Sequence, residues 1–184
     1  MSNAPAKKEP GMAMLVIVLA VICLVIASLL GIVNSVTEGP IAENTAKTVQ
    51  ESLQIVLPAD SYEEVEYTGS DATVIAVYKA DENGYVVECN TPNGFGGPID
   101  MMTGIGTDGS ITGIAVISHA ETSGLGSKAT DPEWQAQFIG LSGGASVTKD
   151  GGTIESITGS TITSRAICDG VNIAYAVLAE LGLG

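Results

Sequence analysis

An uninterrupted apolar run near the N-terminus constrains this chain most. Residues 11–33 contain no charged side chain. As a helix they would extend roughly 34 Å, enough to cross a hydrocarbon core of about 30 Å. A helix buried in a soluble core would normally show a polar stripe, and a cleaved signal peptide would have a shorter apolar run that ends at a small-residue cleavage site. The run therefore predicts a retained transmembrane anchor, with a signal peptide as the alternative.

The charges on either side of this run indicate its orientation. Lys7 and Lys8 precede it, and Glu38 and Glu43 follow it. Basic residues are retained on the cytoplasmic side of a membrane. We therefore expect a single-pass protein of the cell (inner) membrane, with a cytoplasmic N-terminus and an extracytoplasmic main domain.

The part of the chain after the apolar run is strongly acidic. It contains 20 acidic and 5 basic side chains, which give a net charge of −15. Such a surface repels phosphate backbones and anionic lipid headgroups. The charge balance therefore argues against nucleic acid as a partner.

Cysteine and histidine are too few for the usual metal centres. The cysteines are Cys23, within the apolar run, and Cys89 and Cys168 after it, and the one histidine is His119. Because no Cys-x-x-Cys pair occurs, we expect no iron–sulfur, haem or zinc site in this chain. A disulfide between Cys89 and Cys168 is compatible with an extracytoplasmic location, and the sequence leaves it open.

Hydrophobic periodicity and turn residues predict a mixed domain after the anchor. Residues 40–57 are expected to form a helix, with Pro40 in its first turn and Pro58 beyond its end. A short helix is predicted around Pro132–Ile139, and residues 143–153 are expected to form a loop. Four strand-like segments form two hairpins joined by glycine-containing turns, at 73–80 with 85–90 and at 99–105 with 111–118.

An amphipathic helix is predicted from about Thr161 to Leu181. Its apolar residues recur at steps of three and four, as in Ile167, Val171, Ala174, Leu178 and Leu181. The predicted fold class is α+β, with an antiparallel sheet and flanking helices behind one N-terminal transmembrane helix. The predicted division is a cytoplasmic tail over 1–10, the transmembrane helix over 11–33, a connecting helix over 34–60 and an extracytoplasmic domain over 61–184.

The segment just before this last helix carries the clearest functional signal. Thr158, Ser160, Thr161 and Thr163 surround Gly159 at the predicted helix start. Free backbone N–H groups and the positive end of the helix dipole favour an anion there. Arg165 follows Thr161 by one helical turn, so a phosphate near Thr161 could meet its guanidinium. The alternative is that these hydroxyl residues only cap the helix and that Gly159 only forms a turn.

The same segment resembles the flavinylation motif of the FMN-binding domain family, Asp-x-x-Ser/Thr-Gly-Ala-Thr. Glu155, Thr158, Gly159 and Thr161 align with it. Glu155 stands where aspartate is usual, and Ser160 stands where alanine is usual. In that family FMN is joined through its phosphate to the final threonine by a flavin transferase, so the resemblance implies a covalent FMN phosphoester at Thr161.

Two further segments resemble the G subunit of the Rnf electron-transport complex, and the likeness covers essentially the whole chain. They are residues 93–102 and 119–126, in which Ser123 replaces the usual proline. The C subunit of the sodium-pumping NADH–quinone reductase is a related family. The resemblance implies an electron carrier within an ion-translocating ferredoxin–NAD oxidoreductase, with partner subunits that bear iron–sulfur clusters and a second flavin.

The resemblance also implies cofactor-binding roles along the chain. Gly124, Leu125 and Gly126 would pass near the flavin ring, where the alternative is a plain turn. Met101 and Met102 are expected in the core. The full set of predicted cofactor-binding residues is Thr161, Glu121, Thr122, Gly124, Leu125, Gly126, Thr158, Gly159, Ser160 and Arg165.

Other residues near these segments have two interpretations each. Glu155 would help position metal or substrate during attachment, or would be an acidic cap. His119 would be a proton partner or, more often for a lone histidine, structural. A loop near the ring is expected from Gly94, Gly96, Gly97 and Pro98, with a plain hairpin connection as the alternative.

Three functions are compatible with this interpretation. The first is the flavin subunit of an Rnf-type complex, enzymatic only as part of that complex and with no catalytic acid, base or nucleophile of its own. The second is the equivalent subunit of a sodium-pumping NADH–quinone reductase or a stand-alone extracellular respiratory flavoprotein. The third is an anchored binding or scaffold module without a redox group.

Overall fold

The computed structural model describes residues 11–69 and 71–183. The predicted cytoplasmic tail, with Lys7 and Lys8, lies outside the described residues. The chain divides into two compact units, the first ending at Thr45 and the second beginning at Ala46.

A single long helix, α1 (Met12–Val56), occupies the first unit and enters the second. In the first unit its apolar side chains, from Met12 to Val36, are exposed rather than buried in protein. The helix is long and apolar enough to cross a membrane, which agrees with the predicted anchor.

The predicted start of a separate helix at Pro40 differs from the structure, because Pro40 lies inside α1. Proline lacks an N–H group and is favoured in the first turn of a helix. A proline in the interior removes one hydrogen bond of the helix, and here the helix continues on both sides. The helix ends at Val56, so the predicted end before Pro58 agrees with the structure.

The second unit is built on a five-stranded antiparallel sheet with the strand order β1-β2-β3-β4-β5. Both predicted hairpins are present. The strand β1 was not predicted, because a four-residue segment with two adjacent glutamates has a weak strand pattern. The strands are β1 (Tyr62–Val65), β2 (Val74–Ala80), β3 (Gly84–Thr91), β4 (Ile99–Gly106) and β5 (Ile111–His119).

Each face of this sheet is covered by a helix. The helix α3 (Thr161–Glu180) packs on one face, where Met101 is buried. The last turns of α1 contribute Leu53 and Val56 to the other face, where they pack with Met102. Because side chains alternate across a strand, the adjacent Met101 and Met102 enter opposite core layers. Both methionines are fully buried, as predicted.

The inward stripe predicted for the last helix is confirmed. Four of its five residues are buried against the sheet or the loops beside it, and Leu181 lies at the edge of this packing. Cys89 and Cys168 are free, buried thiols within the same core, so the disulfide left open by the sequence is not formed. Burial raises the pKa of each of these thiols to about 12.

Short helical segments connect β5 to α3. The predicted helix around Pro132–Ile139 is an α-helical turn, α2 (Pro132–Gln135), followed by a 3-10 turn over Ala136–Phe138. Trp134 and Phe138 contact edge to face, with ring centroids 5.3 Å apart. Two further 3-10 turns lie at Gly126–Thr130 and, inside the predicted loop, at Thr148–Asp150.

Candidate functional site

A cavity of about 360 Å³ lies at the N-terminal end of α3. Seven of the ten predicted cofactor-binding residues line it. Gly124, Thr158 and Arg165 do not line it, and Phe95, Lys149, Ile162 and Thr163 line it although they were not among the predicted set. The lining residues are Phe95, Glu121, Thr122, Leu125, Gly126, Lys149, Gly159, Ser160, Thr161, Ile162 and Thr163.

A tight turn leads into α3 and explains the glycine of the motif. The N–H of Ser160 donates to the carbonyl of Ile157 (2.9 Å), and Gly159 has a φ of 81°. This left-handed conformation is strained for residues with a Cβ atom. Ser164 braces the turn, because its hydroxyl accepts from the Ile157 N–H (2.9 Å) and donates to the Ser160 carbonyl (3.0 Å).

The start of α3 leaves backbone donors facing the site. The N–H of Ser164 donates to the Ser160 carbonyl (3.0 Å), so the N–H groups at the preceding helical positions have no partner within the helix. Ser160 is the N-cap residue, but its side chain makes no capping hydrogen bond. The alternative that the hydroxyl residues only cap the helix is therefore not supported at Ser160, the N-cap position. An anion at this helix start would be stabilised by up to ~1 kcal/mol.

The hydroxyl of Thr161 lies beside an amine. Lys149 Nζ donates to Thr161 Oγ1 at 2.8 Å. Lys149 belongs to the 3-10 turn Thr148–Asp150, in a segment that the sequence indicated only as a loop. The 12 residues between the two side chains follow no helical or strand period, so no pattern in the sequence could pair them.

Arg165 lies one helical turn beyond Thr161 and is engaged elsewhere. Its Nε and a terminal nitrogen donate to the two carboxylate oxygens of Asp150, at 2.6 and 2.7 Å. This ion pair lowers the pKa of Asp150, and hydrogen bonding to Asp150 raises the pKa of Arg165. The predicted contact between Arg165 and a phosphate at Thr161 therefore stays a prediction.

Glu121 is a buried carboxylate that joins three segments. It accepts from Thr163 Oγ1 on α3 (2.7 Å) and from the backbone N–H of Gly96 in the loop before β4 (3.1 Å). A Cβ atom on Gly126 would lie 2.3 Å from its Oε2 atom, so this glycine is required for close packing against the carboxylate. Glu121 was predicted to bind cofactor, and both of its oxygens already accept from protein donors.

Apolar side chains also line the cavity. Phe95, Leu125 and Ile162 line it and are 68%, 45% and 49% exposed. A Cβ atom at Gly159 would lie 3.4 Å from a methyl group of Leu125, so the motif turn and the 124–126 segment are neighbours. The site thus combines an anion-binding end with an apolar rim.

The remaining predicted residues have structural contacts. His119 Nδ1 accepts from the N–H of Glu121 at 3.1 Å. The backbone carbonyl of Glu155 accepts from Trp134 Nε1 at 2.8 Å, and its side chain is exposed and does not line the cavity. Gly124 has a φ of 76° and donates from its N–H to Ser127 Oγ at 2.9 Å. Neither interpretation of Glu155 or His119 is decided by these contacts.

Known proteins resemble this chain over most of its length. The FMN-binding domain family matches residues 94–176. The G subunit of the Na(+)-translocating ferredoxin:NAD(+) oxidoreductase complex of Acetobacterium woodii is 37% identical, with 90% of each chain covered. The G subunit of the ion-translocating oxidoreductase complex of Methanosarcina acetivorans is 37% identical, and the match covers 86% of this chain and 90% of the relative. The corresponding G subunit of Cereibacter sphaeroides is 34% identical, and the match covers 82% of this chain and 77% of the relative.

Proposed function

The chain belongs to the G-subunit family of Rnf-type, ion-translocating oxidoreductase complexes, and from that membership we propose that it carries FMN joined through its phosphate to Thr161. Its role is to pass electrons within the complex, and it is enzymatic only as part of that complex. The observation that carries the proposal is the position of Thr161 Oγ1, which lies at once on the cavity, at the start of α3 and beside an amine.

The residues of the cavity fit FMN at both ends. A phosphate at Thr161 would meet the unpaired N–H groups of the first turn of α3. A planar ring system would lie against the apolar side chains of Phe95, Leu125 and Ile162. Bound FMN would supply the one- and two-electron chemistry, while the chain supplies position and electrostatics.

Each part of the site has a defined task in this proposal. Thr161 supplies the oxygen of the phosphoester. Gly159 allows the turn that presents this hydroxyl at the cavity, and Ser164 holds the turn. Glu121 fixes the cavity wall by joining the loop before β4 to α3. Electron transfer itself requires no catalytic acid, base or nucleophile on this chain, because the flavin carries the redox chemistry.

The proposal includes partners and a location. Related proteins are parts of multi-subunit complexes, and we propose partner subunits that bear iron–sulfur clusters and a second flavin. A flavin transferase would complete maturation. The apolar part of α1 would anchor the chain in the cell membrane, with the domain from Ala46 onward outside the cytoplasm.

The test is a mass measurement on the full chain expressed together with a flavin transferase. The intact mass should increase by one FMN less water, and the band should fluoresce on a denaturing gel. Thr161→Val should abolish both signals, because it removes the oxygen while keeping the branched shape. Thr107→Val is the matched control: Thr107 is an exposed threonine in the turn between β4 and β5, outside both the motif and the cavity lining, so this variant should load normally.

Two results would contradict the proposal. One is an unshifted mass of the wild-type chain purified from its working complex, which would favour a scaffold module without a redox group. The other is retained fluorescence in the Thr161→Val variant, which would place the flavin on another side chain.

A further inference from the structure

We propose that Lys149 is the residue that binds the cofactor phosphate at Thr161, an inference that rests on the proposed function. Lys149 lies 12 residues before Thr161 and outside the flavinylation motif. Its Nζ donates to Thr161 Oγ1 at 2.8 Å, and it is the only basic side chain among the described residues that line the cavity.

The contact between Lys149 and Thr161 leaves the amine without an ion pair. Asp150 is nevertheless near enough that the charge of Lys149, after the bond from Arg165, contributes to lowering the pKa of Asp150. The hydrogen-bond acceptor of Lys149 is a neutral hydroxyl, and among the described residues no carboxylate lies within ion-pair distance of Lys149. Arg165, the other cation near Thr161, is held by both oxygens of Asp150. An ammonium group has three donors, so Lys149 can keep contact with Oγ1 and still bind an anion beside it.

A second polar group in the same cavity also lacks a partner. Ser160 is buried, with 8% of its surface exposed, and it lines the cavity next to Thr161. Its hydroxyl makes no hydrogen bond within the part of the chain that the structure describes. Among the described residues the fully buried hydroxyls without a partner are those of Thr91 and Thr103, so the Ser160 hydroxyl is accessible from the cavity and free to bond a polar ligand there. The phosphate oxygens of a Thr161 ester would lie near the Ser160 hydroxyl, because the two residues are adjacent and line the same cavity.

The segment that carries Lys149 is closed on itself, and this fixes the position of the amine. The N–H of Thr148 donates to the carbonyl of Ile154 (2.8 Å), and the N–H of Gly152 donates to the carbonyl of Val147 (3.1 Å). Val147 and Ile154 are buried in the core at the base of this segment. The Asp150–Arg165 ion pair then ties its tip to α3. These contacts of neighbouring residues position the backbone of Lys149 near the start of α3.

The contribution of Lys149 during attachment is electrostatic. Thr161 Oγ1 forms a bond to phosphorus, the bond between phosphorus and the leaving group of the flavin donor breaks, and the hydroxyl proton is released to a base of the transferase. Lys149 gains and loses no covalent bond in this step. It stabilises the negative charge on the phosphoryl oxygens, which persists as one charge in the finished diester.

The test is the rate at which the full chain is loaded by the transferase, followed by intact mass. Lys149→Met keeps the length of the side chain and removes its charge, and we expect loading to slow about tenfold or more. Lys149→Arg keeps the charge and should load within about threefold of wild type. Lys79→Met is the matched control, because Lys79 is a lysine on β2 that lines a different cavity, and it should load as wild type does.

A second measurement reports on the finished ester. The ³¹P resonance of loaded Lys149→Met should differ from that of the loaded wild type, whereas that of Lys79→Met should not. Equal loading rates with an unchanged ³¹P resonance in Lys149→Met would overturn the inference while leaving the proposed function intact. A wild-type chain that fails to load overturns the proposed function itself. Lys149 is exposed, so its replacement should leave the unfolding transition unchanged.

Discussion

At the scale of single residues, the candidate site combines an exposed charged side chain with a buried one that holds segments together. Lys149 is exposed and makes one contact, whereas Glu121 is buried and connects the loop before β4 with α3. An exposed charge is replaced at little cost to the fold. A buried carboxylate with two donors is not, because its removal leaves those donors without an acceptor. The two residues should therefore give opposite mutational phenotypes.

Replacement of Glu121 by alanine should destabilise the fold. The N–H of Gly96 and the hydroxyl of Thr163 would both lose their acceptor, and we expect the free energy of unfolding to fall by about 2–4 kcal/mol. The measurement is urea unfolding of the detergent-solubilised chain, followed by the fluorescence of its one tryptophan, Trp134. Glu63→Ala, at an exposed position, is the matched control and should change this value by less than about 0.5 kcal/mol.

Two outcomes would argue against this role of Glu121. If Glu121→Ala and Glu63→Ala unfold at the same urea concentration, Glu121 does not hold the cavity wall. If Glu121→Ala unfolds as the wild type does but no longer binds flavin, Glu121 acts on the cofactor directly, as the family resemblance implied.

At the scale of elements, helices and hairpins with strong local signals were predictable, and contacts between distant segments were not. The stripe on α3 and the glycine turns of both hairpins are local patterns, and the structure has them. Strand β1 depends on pairing with β2, and the continuation of α1 through Pro40 overrides a local preference. The motif around Thr161 was recognisable because it is contiguous. Lys149 was not, because only folding brings it to Thr161.

The end of α1 should behave as part of the domain core. Leu53 is fully buried on the sheet, whereas Ile55, two positions later on the same helix, is 69% exposed. Leu53→Ala should lower the free energy of unfolding of the full chain by about 2–5 kcal/mol, because it opens a cavity in the core. Ile55→Ala should lower it by no more than about 0.5 kcal/mol.

Denaturant unfolding of the two variants side by side is the check. If both substitutions lower the free energy of unfolding equally, residues 46–56 do not belong to the core of the domain and only connect the anchor to it. A large effect confined to Leu53 would show that any soluble fragment of the domain must begin near Ala46 rather than near residue 61.

At the scale of the whole molecule, charge and hydropathy are separated along the chain. Residues 11–33 carry no charge, and the part of the chain after them has a net charge of −15. This division predicts a membrane protein with an acidic domain, and the basic residues Lys7 and Lys8 before the anchor predict that this domain lies on the outer side. It also explains why so few cations serve the site, since only five basic side chains follow the anchor.

The orientation can be tested by labelling. A cysteine introduced at Glu82, an exposed position between β2 and β3, should react with a membrane-impermeant maleimide in intact cells. The native thiols provide the background control, because Cys89 and Cys168 are buried and Cys23 lies in the anchor. Labelling of the Glu82→Cys variant that appears only after the cells are broken would place the domain in the cytoplasm and reverse the proposed topology.

The open rim of the cavity has a consequence for how a redox group can be kept there. Phe95, Leu125 and Ile162 stay about half or more exposed, so the cavity does not enclose what it holds. A non-covalent ligand in so open a cavity would dissociate and be diluted into the surrounding medium. The covalent tether proposed at Thr161 would make retention independent of affinity. In that proposal the ring edge would remain uncovered, and electrons could tunnel to a neighbouring carrier without any lid having to open.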